Sequence, residues 1–250
     1  IIEECLEGRE VSVFAFTDGE TLSPAVAACD YKRAYDGDQG PNTGGMGSYS
    51  PPEFWDDSLA EEIESVILQP TTHALAHEGR PYTGVLYGGL MLTRQGPKVI
   101  EFNCRLGDPE AQVILPRLET DLVDIAEAVL TKNLTQTTIA WSEEACVCVV
   151  MASQGYPGDY ETGLPIIGLS TVPEDAPVFH AGTKLAIQEE TAEATVLTDG
   201  GRVLTVVGRA PSLATARERA YAAARRVTFA GAFHRRDIAL RLGGVPAAHG

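Results

Sequence analysis

The chain has 250 residues with 35 Asp+Glu against 19 Lys+Arg, giving a formal net charge of −16 and a pI near 4.6. That balance argues against nucleic-acid binding, because counterion release from phosphates needs a basic face. Hydrophobic residues at 44% and charged ones at 22% exclude a disordered or fibrous chain, and the length suits one large or two modest domains. The acidity is uneven: residues 1–144 hold 25 acidic and 9 basic side chains, whereas residues 145–250 hold 10 of each. A step of that size divides the chain into two units, 1–144 and 145–242, followed by a small polar tail, 243–250, expected to be disordered.

In chain order, Ile1 to Glu4 reads as a short strand and Val11 to Thr17 as a second. Asp18-Gly19 is a turn signal, with Thr21 to Ala28 returning as the partner. Five glycines and three prolines between residues 34 and 52 predict a loop. Asp56 and Asp57 open a helix in which Leu59, Ile63, Val66 and Ile67 share helical spacing, with Pro70 expected to kink or split it. Val85–Thr93 and Lys98–Cys104 form a hairpin around Arg94-Gln95-Gly96, and Asp121–Leu134 is an amphipathic helix with Leu122, Ile125, Ala126, Val129 and Leu130 on one face. In the second unit, strands are expected at 145–152, 178–180, 183–188 and 202–209, with a helix from Ser212 to Val227.

The five cysteines are odd in number and scattered, without a CxxC pair, which fits reduced thiols in a cytoplasmic protein. Cys146 and Cys148 fall in the apolar run Ala145–Met151 and are expected in the core. No apolar run reaches the roughly 18 residues of a membrane span. The chain begins with Ile1 in mid-pattern, which reads as a piece of something longer.

The segment Lys98-Val99-Ile100-Glu101-Phe102-Asn103-Cys104-Arg105 is the most informative. In a strand, Glu101, Asn103 and Arg105 share one face, and Ile100, Phe102 and Cys104 the other, where they can pack on a core. A carboxylate and an amide oxygen side by side are hard donors of the kind Mg²⁺ takes, with water and phosphates completing its shell. Arg105 can neutralise a transferring phosphate or hold an oxyanion. An ordinary half-exposed strand with polar residues outward is the other reading. The loop Gly40-Pro41-Asn42-Thr43-Gly44-Gly45-Met46-Gly47 adds backbone N–H groups free to approach an anion, and matches neither GxxxxGK[ST] nor a strand–GxGxxG–helix. Just ahead of it, Asp30, Lys32 and Arg33 make the one local basic spot of an acidic unit.

Together these residues resemble the ATP-grasp enzymes and, within them, the phosphoribosylamine–glycine ligases. The resemblance rests on Arg105-Leu106-Gly107-Asp108-Pro109-Glu110-Ala111-Gln112, on Gly40 to Gly47, on Asp30 to Arg33 and on Glu101 to Asn103. In the second unit it rests on Gly155 to Tyr160, Phe179 to Lys184 and Asp199 to Leu204, so that it covers about residues 1–242.

The resemblance implies an α+β fold: the second half of an ATP-grasp domain, an antiparallel sheet with helices, over 1–144, followed by a small β-rich domain. It implies ligation of glycine to 5-phosphoribosylamine through a glycyl phosphate, with ATP as co-substrate and Mg²⁺ or Mn²⁺ held by Glu101 and Asn103. Catalytic contacts are then expected from Arg105, Asn42, Gly44 and Gly45. Substrate contacts are expected at Asp30, Lys32, Arg33, Asn42, Thr43, Gly44, Gly45, Met46, Asp108, Pro109 and Glu110, and nucleotide contacts at Glu3, Glu4, Leu6 and Glu10. The full-length protein is expected to be a cytoplasmic monomer that meets neither nucleic acid nor membrane. Because the family's N-terminal domain and lid are not in the sequence, the isolated chain is expected to have little or no ligase activity. The competing readings are another ATP-grasp carboxylate–amine ligase, or a noncatalytic binding or assembly module.

Overall fold

In the run Arg9–Thr17 (β1), Val11, Val13 and Ala15 alternate with Ser12, Phe14 and Phe16, and the strand is buried from Val11 onward. A strand apolar on both faces needs neighbours on both edges and cover on both sides. A computed structural model, which describes residues 2–187 and 194–240, shows how both are supplied. β1 pairs antiparallel with Val26–Asp30 (β2) on one edge; Arg33–Tyr35 (β3) and Gln39–Asn42 (β4) form a small separate hairpin. Gly47–Ser50 (β5) returns to the main sheet beside β2.

Asp57–Ile63 (α1), capped by Asp56 Oδ1 accepting from Leu59 N at 2.8 Å, leads to Gln69–His77 (α2). Pro70 does not split this helix. It has no N–H to donate, and it lies in the first turn of α2, just after Glu64–Leu68 widen into a π turn that joins α1 to α2. Ile63, Ile67 and Leu68 are buried, whereas Val66 faces solvent.

Gly84–Thr93 (β6) pairs with the other edge of β1, and Gly96–Asn103 (β7) pairs with β6. Ala111–Ile114 (α3) and Leu122–Leu130 (α4) follow. In α4 the inward face is Ile125, Ala128 and Val129, so Leu122, Ala126 and Leu130, expected beside them, are turned outward. Ala145–Ser153 (β8), Val178–His180 (β9), Thr183–Ile187 (β10), Ala194–Thr198 (β11), Arg202–Ala210 (β12), Leu213–Ala224 (α5) and Ala232–Phe233 (β13) complete the order. Ser212 caps α5, its Oγ accepting from Thr215 N.

One antiparallel nine-stranded sheet runs β7-β6-β1-β2-β5-β8-β12-β9, with β13 added on β8. The β5–β8 pairing carries it straight across the 144/145 boundary, Gly47 opposite Val149 and Ser50 opposite Cys146. On one face, α1, α2 and α5 bury Val11, Val13, Ile63, Leu68, Leu90, Val147, Val149, Ala216 and Tyr221. On the other, α3 covers Phe14, Val26, Ala28, Cys146, Cys148 and Val207. All five cysteines are unpaired. No described helix is long and apolar enough to cross a membrane.

Three further expectations are corrected. The Gly-rich stretch is not all loop: it contains β3, β4 and the fully buried β5, because Gly47 lies where a Cβ would meet Cys148 O at 2.7 Å and Ile238 at 2.9 Å. Ile2–Glu7 forms no strand. The apolar face of β7 is not core: Ile100 is 43% exposed, Phe102 38%, and Cys104 lies on the surface. β7 is an end strand of the sheet, and the helices cover the strands further in. The tail at 243–250 lies outside the described residues.

Candidate active site

The strand registers assemble one polar row. Ser12 sits opposite Ala28 on one side and Gly89 on the other, and Gly89 sits opposite Glu101. Phe14 sits opposite Val26 and Tyr87, and Tyr87 opposite Asn103. Side chains two apart share a face, so Glu10, Ser12, Asp30, Tyr87, Glu101 and Asn103 all look out on the same side. Gly89 has a reason to be glycine: a Cβ there would stand 3.3 Å from Glu101 Cγ.

Asn103 Nδ2 donates to Glu101 Oε1 at 3.0 Å. This orients the amide so that its oxygen and the second carboxylate oxygen remain as hard donors. Among the described residues no group of three or more His, Cys, Asp or Glu could hold a metal ion. A carboxylate oxygen beside an amide oxygen suits an ion that takes few protein oxygens and fills its shell with water and phosphate, as Mg²⁺ does. Arg105 lies beyond the end of β7 and is exposed, its Nη1 donating to Leu106 O at 3.0 Å.

A cleft of about 730 Å³ brings together Glu10, Asp30, Lys32, Arg33 and Asn42, with Arg9 and Tyr49 on its wall. Burial, and after it Glu110, push the Asp30 carboxyl up to about 7, against the opposing pull of Lys32. Burial lowers the Lys32 ammonium, but its ion pair with Glu10 and the nearby Asp30 outweigh this and hold it above its ordinary value. Arg33 Nη1 donates to Gly40 O at 2.8 Å. A second cleft, of about 460 Å³, is lined by Glu3, Glu4 and Leu6 with Met91, Lys98, Val99 and Ile100, which gives the outward Ile100 a place. Glu101, Asn103 and Arg105 line neither.

Several predicted site residues are turned inward. Met46 is fully buried and its N–H donates to Tyr31 O; Pro109 is buried under the glycine loop. Glu110 is 4% exposed, its Oε1 accepting from Ser12 Oγ at 3.1 Å and Tyr87 OH at 2.9 Å. Thr43 Oγ1 donates to Lys32 O and accepts from Gly45 N, fixing the loop on itself. Gly44 is exposed, and Gly45 adopts φ +110°, open to glycine but strained for other residues.

Sequence reasoning missed three residues that hold these loops. Arg202 Nη1 donates to Gly44 O at 2.7 Å and Asp108 O at 2.9 Å, and Nη2 to Asp108 Oδ2 at 2.9 Å. Tyr156 OH accepts from Gly44 N at 3.0 Å. Arg235, fully buried, pairs with Asp237 and Asp38 and stacks on the Tyr31 ring, tying the β3–β4 hairpin to the C-terminal segment. Arg202 and Tyr156 lie inside the segments that carried the resemblance, but a sequence motif does not say what its arginine touches.

The antiparallel sheet that carries Glu101, Asn103 and the glycine loop has the ATP-grasp fold. The same fold is found in the biotin carboxylase domain of Hydrogenobacter thermophilus 2-oxoglutarate carboxylase, solved with Mg-ADP, at TM-score 0.56 and 12% identity, covering 90% of this chain and 46% of that one. More specifically, residues 1–111 match the ATP-grasp (A) domain of phosphoribosylglycinamide synthetase and residues 146–241 its C domain. The chain belongs to the phosphoribosylglycinamide synthetase family. It is 50% identical over 239 residues to the phosphoribosylamine–glycine ligase of Halalkalibacterium halodurans, covering 95% of this chain and 54% of that protein. The crystal structure of the Thermotoga maritima ligase superposes with TM-score 0.81 at 36% identity, covering 94% of this chain and 56% of that one. The chain thus spans about half the length of the relatives it matches.

Proposed function

We propose that this chain supplies the latter part of a phosphoribosylamine–glycine ligase, the ATP-dependent enzyme that joins glycine to 5-phosphoribosylamine to give glycinamide ribonucleotide, ADP and phosphate. The observation that carries the reading is the shared sheet face, on which Glu101 and Asn103 stand with Asp30 and Glu10, the latter two inside a cleft that also holds Lys32, Arg33 and Asn42. In the first step a glycine carboxylate oxygen takes the γ-phosphoryl group of ATP and ADP leaves. In the second, the amine nitrogen of phosphoribosylamine attacks the acyl carbon, the C–O bond to phosphate breaks, and the amine proton passes to solvent.

Lys32 and Arg33 would bind the anionic groups, Asp30 would accept from the amine, and the Asn42–Gly45 loop with Arg105 would hold the reacting carboxylate. A Mg²⁺ or Mn²⁺ ion held by Glu101 and Asn103 would supply charge neutralisation at the ATP phosphates. Glu3, Glu4 and Leu6, beside the apolar Val99 and Ile100, would receive the nucleoside. Residues 1–144 would form the nucleotide half and 145–242 the smaller partner of a cytoplasmic, monomeric enzyme without a nucleic-acid partner.

The test is phosphate release and product formation by the complete enzyme fed ATP, glycine and phosphoribosylamine. Glu101→Gln is expected to cut turnover by about 100-fold or more. Equal turnover with a different amino acid or amine would replace the reading by another carboxylate–amine ligase. The isolated 250 residues are expected to turn over little or nothing, and robust product from them would overturn that expectation.

A further inference from the structure

The peptide at Gly44 is held from both sides by the second half of the chain. Its N–H donates to Tyr156 OH at 3.0 Å and its carbonyl accepts from Arg202 Nη1 at 2.7 Å. The same guanidinium reaches Asp108 through its backbone oxygen at 2.9 Å and its carboxylate at 2.9 Å. Two loops far apart in sequence, the glycine loop and the Asp108 turn, thus share one cation.

Three glycines make the arrangement possible. At Gly44 a Cβ would stand 3.0 Å from the Arg202 guanidinium carbon. At Gly201, next to Arg202, a Cβ would stand 2.2 Å from the Tyr156 ring that receives the Gly44 N–H. At Gly45 a Cβ would stand 2.4 Å from Pro109 Cδ, so the glycine loop rests directly on the residue after Asp108. A partly exposed ion pair alone adds little stability. A planar fork bridging two carbonyls and a carboxylate fixes geometry instead, and an ammonium cannot reproduce it.

We propose that Arg202, seconded by Tyr156, is a positioning residue that locks the glycine loop and the Asp108 turn into one rigid wall of the substrate site. This rests on the functional reading above for its kinetic consequence, and on geometry alone for the lock. Loss of the fork lets the loop drift, which lowers kcat and raises the KM for the substrate the loop holds, while the KM for ATP stays put.

The experiment compares wild type, Arg202→Met, Arg202→Lys and Tyr156→Phe in the complete enzyme by steady-state kinetics and by amide hydrogen exchange. In Arg202→Met, kcat/KM for glycine or phosphoribosylamine is expected to fall at least tenfold, with the Gly44 amide exchanging at least tenfold faster and the β8 amides unchanged. Arg202→Lys is expected to stay close to Arg202→Met, and Tyr156→Phe to give a smaller change of the same kind. Unchanged exchange at Gly44, a kinetic loss that vanishes per folded molecule, or full rescue by lysine would overturn the proposal. Should the wild type make no product from these substrates, the functional reading falls, and the exchange comparison still decides the lock.

Discussion

The middle of the sheet and its β7 end are built to opposite rules. At the middle, every residue of β5 and β8 is buried, and both faces are covered. At the β7 end, Val99, Ile100, Glu101 and Phe102 all reach the surface. A central strand gains stability from cover on both faces, whereas a strand near a ligand has to leave one open. The contrast teaches that charge and polarity alone do not single out the β7 end: what sets it apart is the failure of the fold to cover apolar side chains on a strand that also carries Glu101 and Asn103.

The sharpest way to break the comparison is to introduce the rim's openness into the interior. Arg235→Met removes the cation between Asp237 and Asp38, leaving the Asp237 carboxylate buried without its partner. The expected loss is about 3 to 5 kcal/mol in denaturant unfolding. A loss under about 1 kcal/mol would show that the C-terminal segment is not locked onto the β3–β4 hairpin. Within the core of the β8–β12 pair, Leu204→Ala empties a fully buried position and is expected to cost about 3 kcal/mol.

A smaller effect belongs to Asp30, at the border between the two regions. Its folded-state carboxyl sits at about 7 against 3.8 for the free side chain. The fold therefore favours the protonated form, and that contribution is full below about 3.8 and is lost as pH rises to about 7. Asp30→Asn, measured by thermal unfolding, is expected to stabilise the protein relative to wild type at pH 8 more than at pH 4. A pH-independent difference would mean that Asp30 ionises freely. The smallest effect is expected at the rim: Glu101→Gln should change stability by under about 0.5 kcal/mol, whatever it does to turnover.

Much of this contrast was legible in the sequence. Val11–Thr17, the 85–103 hairpin, the run at Ala145 and the helix after Ser212 announce themselves through period and caps, which are local. That Glu101 and Asn103 stand side by side was legible because a two-residue spacing on a strand fixes a common face. β5 was not found, since Gly-Ser-Tyr-Ser has no apolar pattern and becomes a strand only through pairing with β2 and β8. β11 escaped for the same reason, being defined by its pairing with β10. Ile100 and Phe102 look like core residues until the topology makes β7 an end strand. Glu110 reads as a site carboxylate until Ser12 and Tyr87 close over it. Arg202 and Arg235 were illegible because their partners are set by the tertiary fold, not by spacing along the chain.

The β5–β8 pairing also sets a timetable. As the chain leaves the ribosome, β5 can join β2 early, but its other edge has to wait for β8, from Ser50 to Ala145 in the sequence. At roughly 5 to 20 residues per second, that wait is on the order of 5 to 20 seconds. Throughout it a nascent chain presents an open strand edge flanked by apolar surface, the situation in which chaperones are needed most.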